Sequence, residues 1–495
     1  MPTRPRPRRS RSRAGSSSTT PSTARCEAGL KPGDLLPGPG EGDVNGTPLR
    51  TAWQQQHLDP ASRQLLARDS AAFVHQSLST PCLAPIVRAQ GLYIEDLSGR
   101  RYMDFHGNNV HHLGHGHPEV IAAIKAQLDE LSFAPRRFAP LRAVELAERL
   151  GEKFRGLTGQ PGRVLFTTGG SDALEVALKL ARAATGRFKT LSFWDSFHGA
   201  GFGASSVGGE ALFRSGRLGP LLPGSEHVAP FGCYRCAYGH AVDERGQPDL
   251  ATCKLACAAM VRYVLEREGD VAAVVAEPAR AVPYIPPPGY WQAVQQACQE
   301  HGTLLIFDEI PTGLGKTGRF FAAEHDQVAP DIVVLGKALG GGVLPIAACI
   351  ARDGLNMATD FALGHYTHEK NPVMAAAALA TLDVIERDDL VANAERVGRQ
   401  ALERLHAMKE RHSIIGDVRG RGLLLGLELV EQRSSKVPAR AAAERVLYRA
   451  LSRGLSFKTT MGNVITLTPP LTITPAQMSQ ALDILDDCLA EEAVH

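Results

Sequence analysis

Phe307-Asp308-Glu309 closes a short apolar run, residues 304–307, that reads as a buried strand. In an open parallel sheet the ligand sits beyond the carboxyl ends of the strands, so an acid placed there faces a cleft. The same acid could instead cap a helix or pair on the surface. A second apolar run, 332–335, is followed by Gly336, Lys337 and the glycines Gly340-Gly341-Gly342. Lysines are rarely buried without a partner. One at a strand end inside a cleft can titrate low enough to form a Schiff base with a carbonyl compound. The glycines permit unusual backbone angles and close approach to a bound group. A glycine-rich loop with a lysine could also cradle a phosphate, although the P-loop spacing GxxxxGK[ST] is absent. Phe166-Thr167-Thr168-Gly169-Gly170-Ser171-Asp172 turns from a strand into a helix. Free N–H groups at a helix start and a serine hydroxyl make a phosphate site, or Ser171 is only a cap. In Ser196-Phe197-His198-Gly199 an aromatic ring stands beside a histidine, fit to stack on a planar ring or simply to fill a core.

Periodicity gives the elements that must position these residues. Residues 164–166, 271–276, 304–307, 332–335 and 346–350 are short and rich in branched side chains, and several lack polar alternation. Strands buried on both faces of a mostly parallel sheet read this way. Between them, 118–131, 141–153, 172–184, 252–268 and 290–301 carry helical spacing. The alternation predicts an α/β fold wound with right-handed crossovers. After Asn371-Pro372 the texture changes to Ala/Leu/Glu/Arg-rich helices at 373–386, 390–411, 438–453 and 475–492, with strand-like pieces at 422–430 and 463–468. That predicts a second, smaller α+β domain.

The order of the motifs is more specific than any one of them. A phosphate cradle comes first, then an aromatic, then an acid, then a lysine 29 residues beyond the acid (337 − 308 = 29). Added to these are YIEDLSGRRYMDFHGNNVHHLGHGHP from Tyr93, TTGGSDALEVALKLAR from Thr167, AEP from Ala276, FDEIPTGLGKTG from Phe307, LGKALGGG from Leu335 and THEKNP from Thr367. On these residues the chain, over 85–490, resembles the class III aminotransferases, pyridoxal-phosphate (PLP) enzymes of fold type I. The resemblance implies a large domain with a mostly parallel sheet flanked by helices, and a smaller α+β C-terminal domain. It implies PLP as cofactor and Lys337 as the residue that holds its aldehyde and later shuttles the proton. Asp308 would keep the pyridine nitrogen protonated, which makes the ring an electron sink. Gly170 and Ser171 would bind the phosphate, Phe197 would stack on the ring, His198 would flank it, and Glu277 would join the same cofactor-binding set. Thr367 matches a threonine that reaches the phosphate from the neighbouring subunit, which implies a homodimer with shared active sites. The expected division is a disordered Arg/Ser/Pro-rich tail at 1–51, an N-terminal segment at 52–117 that packs with the small domain, the large PLP-binding domain at 118–372 and the small domain at 373–495.

Several residues depart from the family pattern. Pro311 stands where these transaminases carry a glutamine, so the usual donor to the cofactor's phenolic oxygen is missing. The glycine-rich stretch after Glu277-Pro278 is replaced by one carrying Arg280 and Tyr284. THEKNP adds His368, Glu369 and Lys370 at the subunit boundary. Together with 105–111 (FHGNNVH), 135–138 (PRRF) and 365–370 (HYTHEK), these residues resemble the ammonia-lyase and phospholyase-like subgroup of the family. That implies a small-molecule amine substrate bearing a phosphonate, of the 2-amino-1-hydroxyethylphosphonate type, cleaved to phosphonoacetaldehyde and ammonia. The alternative is ω-amino transfer to a keto acid. Hydroxide leaves poorly, so a general acid is wanted, with His111, His112 and His368 as candidates. A dianionic phosphonate suits arginine's fork. Arg136 and Arg137 are the substrate candidates, with Arg280 a third, unless they only solvate the surface.

Cys233-x2-Cys236 and Cys253-x3-Cys257 flank a loop of 16 residues, 237–252. This resembles a four-thiolate zinc site with one long ligand spacing. The other reading is four free thiols, with Cys253 and Cys257 on one face of a helix.

Composition bounds the rest. The chain has 495 residues, 44% hydrophobic and 21% charged, with nine cysteines. That excludes wholesale disorder and a disulfide-stapled secreted domain, and length suggests two or three domains. A net charge of +2, from 54 basic and 52 acidic residues, gives no overall polyanion field, so no nucleic-acid partner is expected. No apolar run approaches the roughly 18 residues that span a bilayer, and no hydrophobic signal opens the chain, so a cytoplasmic, non-membrane enzyme is expected. The tail holds seven arginines and no acid up to Arg25. It reads as a solvated arm, a transit peptide or a nucleic-acid arm. Lys337 and Asp308 together speak against a PLP fold that has lost catalysis.

Overall fold

The computed structural model describes residues 46–76, 79–214 and 218–492. The expected tail, 1–51, lies outside them except for its last residues. There the first helix among the described residues, Pro48–His57, starts ahead of the expected boundary at 52. Thr47 accepts a hydrogen bond from the Arg50 N–H (3.1 Å), and Pro48 presets the first turn.

Seven strands form the central sheet: β1 (Gly162–Thr167), β2 (Lys189–Phe193), β3 (Ser225–Val228), β4 (Val271–Ala276), β5 (Leu304–Asp308), β6 (Ile332–Leu335) and β7 (Ala347–Arg352). Their spatial order is β1-β7-β6-β5-β4-β2-β3. The pairs β2–β3, β2–β4, β4–β5 and β5–β6 are parallel, and β7 runs antiparallel to both its neighbours. In β4 every residue is buried, which is why its sequence, VAAVVA, shows no polar alternation. One face of the sheet gives Ala273, Ile306, Ile332 and Val334 to a core with Leu174, Ala177 and Ala181 of helix Gly170–Thr185. The other gives Val274, Leu305, Phe307 and Val333 to a core with Val261, Trp291 and Val294 of helices Ala256–Glu268 and Tyr290–His301. Each large apolar side chain so buried contributes about 1.5–3 kcal/mol. The two cores hold the carboxyl ends of β4, β5 and β6 in fixed register.

Helices Tyr290–His301, Leu390–Arg411 and Pro475–Glu492 match their expected spans. The single helix expected over 252–268 does not form. It is two, Leu250–Cys253 and Ala256–Glu268, broken where Lys254 (φ 46°) and Leu255 (φ 52°) both turn left-handed. Cys253 and Cys257 therefore do not share one helix face.

Outside the central sheet, Ile86–Gln90, Tyr93–Asp96 and Arg101–Asp104 form an antiparallel ladder, and Leu455–Ser456 from near the C-terminus adds to it in parallel. Trp53 donates to Ser452 Oγ (3.1 Å) across the same seam. An antiparallel sheet of Ile415–Arg421, Leu424–Leu429, Val464–Leu467 and Lys458–Thr460 completes the C-terminal part. Among the described residues no helix is long and apolar enough to cross a membrane.

Candidate active site

The chemistry-bearing residues leave the sheet at one edge. Asp308 ends β5, Lys337 follows β6 by one glycine, Glu277 follows β4, His198 lies in the loop after β2, and Gly170-Ser171 open the helix after β1. That is the carboxyl edge of the parallel strands, where ligands of such sheets bind.

Asp308 is 2% exposed. Its Oδ2 lies 2.8 Å from His198 Nδ1, and its Oδ1 accepts the Ile310 N–H (3.0 Å). His198 Nε2 is buried without a partner. His198 therefore touches the acid, and the expectation that it would flank a ring gains a second term: it orients Asp308. Glu277 is buried, its Oε2 takes the Ala281 N–H (2.8 Å), and burial pushes its carboxyl up. Lys337 has a left-handed backbone (φ 44°), a strained state for a non-glycine residue. Burial pulls its ammonium down, while Asp308 and Glu277 pull it back up. A lysine so placed keeps more of the neutral amine that attacks a carbonyl.

The helix Gly170–Thr185 begins at Gly169 with no side-chain cap, so its first N–H groups remain free to meet an anion. Ser171 Oγ accepts the Gly201 N–H (2.9 Å). Gly199 (φ 133°) passes so close that a Cβ there would meet Ser171 Oγ at 2.6 Å, and one on Gly170 would meet Ile310 Cδ1 at 2.5 Å. Glycine is thus required at both positions by the close approach of Ser171 and Ile310 beside an uncapped helix start. A neutralisable lysine, a buried carboxylate, an unpartnered imidazole nitrogen and this helix start form a donor set that fits pyridoxal phosphate.

The other expected residues fall into separate groups. Phe197 is 42% exposed, with its ring 4.5 Å from that of Phe213. Thr367 is exposed in the turn after Tyr366, whose hydroxyl donates to the Asp172 carbonyl (3.4 Å). Arg136 and Arg137 are exposed, and Arg136 Nε lies 3.9 Å from Glu369. The ring of His368 meets Phe133 edge-on at 5.4 Å. Within one chain Arg136 is grouped with Glu369 in the turn that carries Thr367, rather than with Asp308. His111 and His112 are buried, with Nε2 on the carbonyls of Asp104 (3.0 Å) and Gly313 (3.2 Å). Burial pulls His111 down to about 4 and His112 well below its ordinary value, so neither holds a proton to give at neutral pH.

Arg280 is buried, its guanidinium bonded to the Asp195 carbonyl and its Cζ 5.1 Å above the Tyr284 ring. Sequence reasoning missed two further residues of this region. Burial pushes the Glu210 carboxyl up to about 7, against the pull of Lys458 and Arg280. Lys458 comes from the C-terminal sheet, and its charge also reaches His106 and Lys337. It lines a cavity of about 310 Å³ with Asp104, His106, Asn108 and Ser456. Nothing in the local sequence marks Glu210 or Lys458, because the fold alone brings them to Lys337 and Arg280.

The four cysteines Cys233, Cys236, Cys253 and Cys257 line one small cavity together with Tyr238 and His240. Burial, and then the neighbouring thiols of Cys257, Cys236 and Cys253, push the Cys233 thiol up to about 12.

Comparison with known proteins gives one family. The sequence profile of "Aminotransferase class-III" matches residues 74–489. The chain is 45% identical over 458 residues, 91% of its length and 95% of the relative's, to a protein of Vibrio splendidus (strain 12B01) described as (R)-1-hydroxy-2-aminoethylphosphonate ammonia-lyase. It is 37% identical over 437 residues, 86% of its length and 95% of the relative's, to a leucine/methionine racemase of Thermococcus litoralis. Among solved structures, a PLP-bound amine transaminase from an uncultivated Pseudomonas species superposes with a TM-score of 0.78 at 33% identity, covering 85% of this chain and 98% of that one.

Proposed function

The chain belongs to the class III aminotransferase family, and from that premise we propose that it is a PLP-dependent ammonia-lyase. Its substrate is of the 2-amino-1-hydroxyethylphosphonate type and its products are phosphonoacetaldehyde and ammonia. The observation that carries this reading is the 45% identity, across 91% of the chain, to a relative described as such an ammonia-lyase.

When bound, PLP supplies an aldehyde that captures the substrate amine and a ring that takes up the electron pair of the broken C–H bond. The chain's own residues do the rest. Lys337 Nζ holds the cofactor, then accepts the proton from the amine-bearing carbon. Asp308, oriented by His198, supplies the negative charge that keeps the pyridine nitrogen protonated. Gly170, Ser171 and the uncapped helix start bind the phosphate. Glu277 lines the same edge, and Phe197 covers the ring. Glu210, whose carboxyl is pushed up to about 7, gives its proton to the leaving hydroxide in place of the buried His111 and His112, with His368 the other donor open to test. The enamine left behind hydrolyses to aldehyde and ammonia.

The reading includes a homodimer with shared sites. Thr367, Arg136 and Arg137 stand exposed on the surface of one subunit, where a second copy would receive them. There Thr367 reaches the neighbour's cofactor phosphate and the two arginines meet its substrate phosphonate.

The solved amine transaminase favours a second reading, transfer of the amino group to a keto acid. One experiment separates the two. Purified enzyme is given 2-amino-1-hydroxyethylphosphonate and no keto acid. A lyase releases ammonia and aldehyde over many turnovers. A transaminase stops after one and restarts only when pyruvate or 2-oxoglutarate is added.

A further inference from the structure

We propose that Cys233, Cys236, Cys253 and Cys257 form a structural zinc site that fastens the 233–257 segment of the large domain and, through it, the C-terminal domain.

Three observations point there. The four side chains come from two separate places, the short helical turn Cys233–Arg235 with its following residue, and the broken helix pair, yet all line one cavity of about 20 Å³. That volume holds a single ion-sized occupant. The lining adds His240 and Tyr238 but no carboxylate, so the ligand set is soft and selects zinc over calcium or magnesium. The helix break is the third observation. Lys254 and Leu255 both adopt left-handed angles with no glycine or proline present. Left-handed backbone costs such residues roughly 1–2 kcal/mol each, and persists where the surroundings demand it. Its effect is to end one helix on Cys253 and start the next beside Cys257, with both at the cavity.

The sulfurs still have to close. Among the described residues, the group whose ligating atoms all lie within 4.8 Å of one another is Asp104, His111 and His115. Two members of that group are already tied without a metal. Asp104 accepts from His115 Nε2 (2.9 Å) and from the backbone N–H groups of His106 (3.0 Å) and Gly107 (2.9 Å). Zinc–sulfur bonds of about 2.3 Å set tetrahedral sulfurs roughly 3.8 Å apart. A cysteine rotamer step moves its sulfur by about 3 Å, so closing the site asks the thiols lining the cavity to turn inward as the ion binds. One zinc ion displaces four thiol protons to solvent and forms four Zn–S bonds, with no oxidant or reductant involved. The resulting double negative charge has a neighbour to offset it. Lys436 Nζ donates to the Tyr234 carbonyl (2.8 Å), within electrostatic reach of Cys236.

The consequence lies at the domain seam. Arg235, between the first two cysteines, pairs with buried Glu428 of the C-terminal sheet, and Lys409 Nζ donates to the Glu244 carbonyl (2.6 Å). Arg419, which pairs with Glu428 (2.8 Å) and Asp417 (2.7 Å), places its Cζ 4.4 Å over Tyr284, whose ring also lies under Arg280. The metal would therefore hold the loop that seats the C-terminal domain against the Arg280 side of the active site.

The test uses the full-length PLP-loaded protein, expressed with added zinc and dialysed without chelator. Elemental analysis should find about one zinc per chain. Cobalt added to metal-stripped protein should give the visible bands of tetrahedral thiolate coordination, a readout that needs no variant to fold. Cys233→Ser/Cys236→Ser should lose the zinc and unfold at lower temperature, while keeping the PLP absorbance. The proposal is overturned if the wild type carries less than about a tenth of a zinc per chain and cobalt produces no thiolate bands. Cys233–Cys236 or Cys253–Cys257 disulfides in freshly purified protein would overturn it equally.

Discussion

His198 Nδ1 and Asp308 Oδ2 stand 2.8 Å apart, both side chains buried, although 110 residues separate them in the chain. The contact fixes the carboxylate from the side opposite the Ile310 N–H, so Asp308 has one orientation available. It also sets the tautomer: with Asp308 ionised, Nδ1 carries the proton and Nε2 faces the interior as an acceptor. This geometry would let His198 work through Asp308, as a positioning residue.

If so, the two residues must couple. Asp308→Asn should lower kcat severely and shift the visible absorption of the bound cofactor, since the ring loses the charge that stabilises its protonated nitrogen. His198→Asn should lower kcat less and move the same band. The double variant should be little worse than Asp308→Asn alone, with a coupling energy of about 0.5–3 kcal/mol. Strictly additive losses would mean that His198 acts elsewhere.

Lys337 should be irreplaceable for turnover. Borohydride should fix the cofactor covalently to Lys337 in the wild type, as peptide mass spectrometry reads directly. Lys337→Ala should still bind PLP through the phosphate cradle and Asp308, but should neither be fixed nor turn over. Normal turnover by that variant would remove the lysine from the mechanism.

Glu210 gives a pH signature. Its carboxyl is pushed up to about 7 in the folded chain against an ordinary 4.5. If the proposed elimination is right, the form protonated below about 7 is the one that serves the leaving hydroxide, so kcat should fall as pH rises through that value. Glu210→Gln should remove this limb and cost about 100–10,000-fold in kcat, the range for a general acid. Linkage has the same sign. A carboxyl whose pKa rises on folding favours the folded state at low pH, and this contribution is lost as pH climbs from about 4.5 to about 7. The glutamine variant should lose that part of the slope in melting temperature against pH. A wild-type profile with no limb near 7 would take the role from Glu210.

Much of this arrangement was legible in the residues. Strands β4, β5 and β6 were visible because burial on both faces leaves unbroken apolar runs, and Asp308 and Lys337 were visible because they end such runs. β2 (KTLSF) and β3 (SEHV) were not, because threonine, serine, glutamate and histidine blur the strand signal of short segments toward the sheet edge. The helix break at Lys254-Leu255 was hidden for another reason: both are ordinary helix formers, and only the tertiary setting turns them left-handed. Glu210 and Lys458 could not be found from motifs, since one sits in a loop and the other arrives on a strand of the C-terminal sheet. The contact of His198 with Asp308 likewise needed the sheet order that sets β2 two places from β5.

The arginine pair tests the shared site. Arg136 and Arg137 are exposed in one chain, and Arg136 is weakly tied to Glu369 at 3.9 Å. A phosphonate anchor cannot remain solvated in the working enzyme, so these residues must face a neighbour's cleft or have no part in binding. As an anchor acting alike in ground and transition states, either arginine should raise KM with little change in kcat when replaced by alanine. The loss should be about 1.5–3 kcal/mol, the range for a hydrogen bond to a charged group. Mixing then discriminates where the anchor acts. Lys337→Ala chains are dead, and Arg136→Ala/Arg137→Ala chains are weak at low substrate. In a mixed dimer with shared sites, one site combines both defects and the other has an intact lysine and intact arginines. Random mixing makes half the dimers mixed, so about a quarter of wild-type activity should return at low substrate. If each chain serves its own site, mixing restores nothing, and the arginines belong to the surface rather than to the substrate.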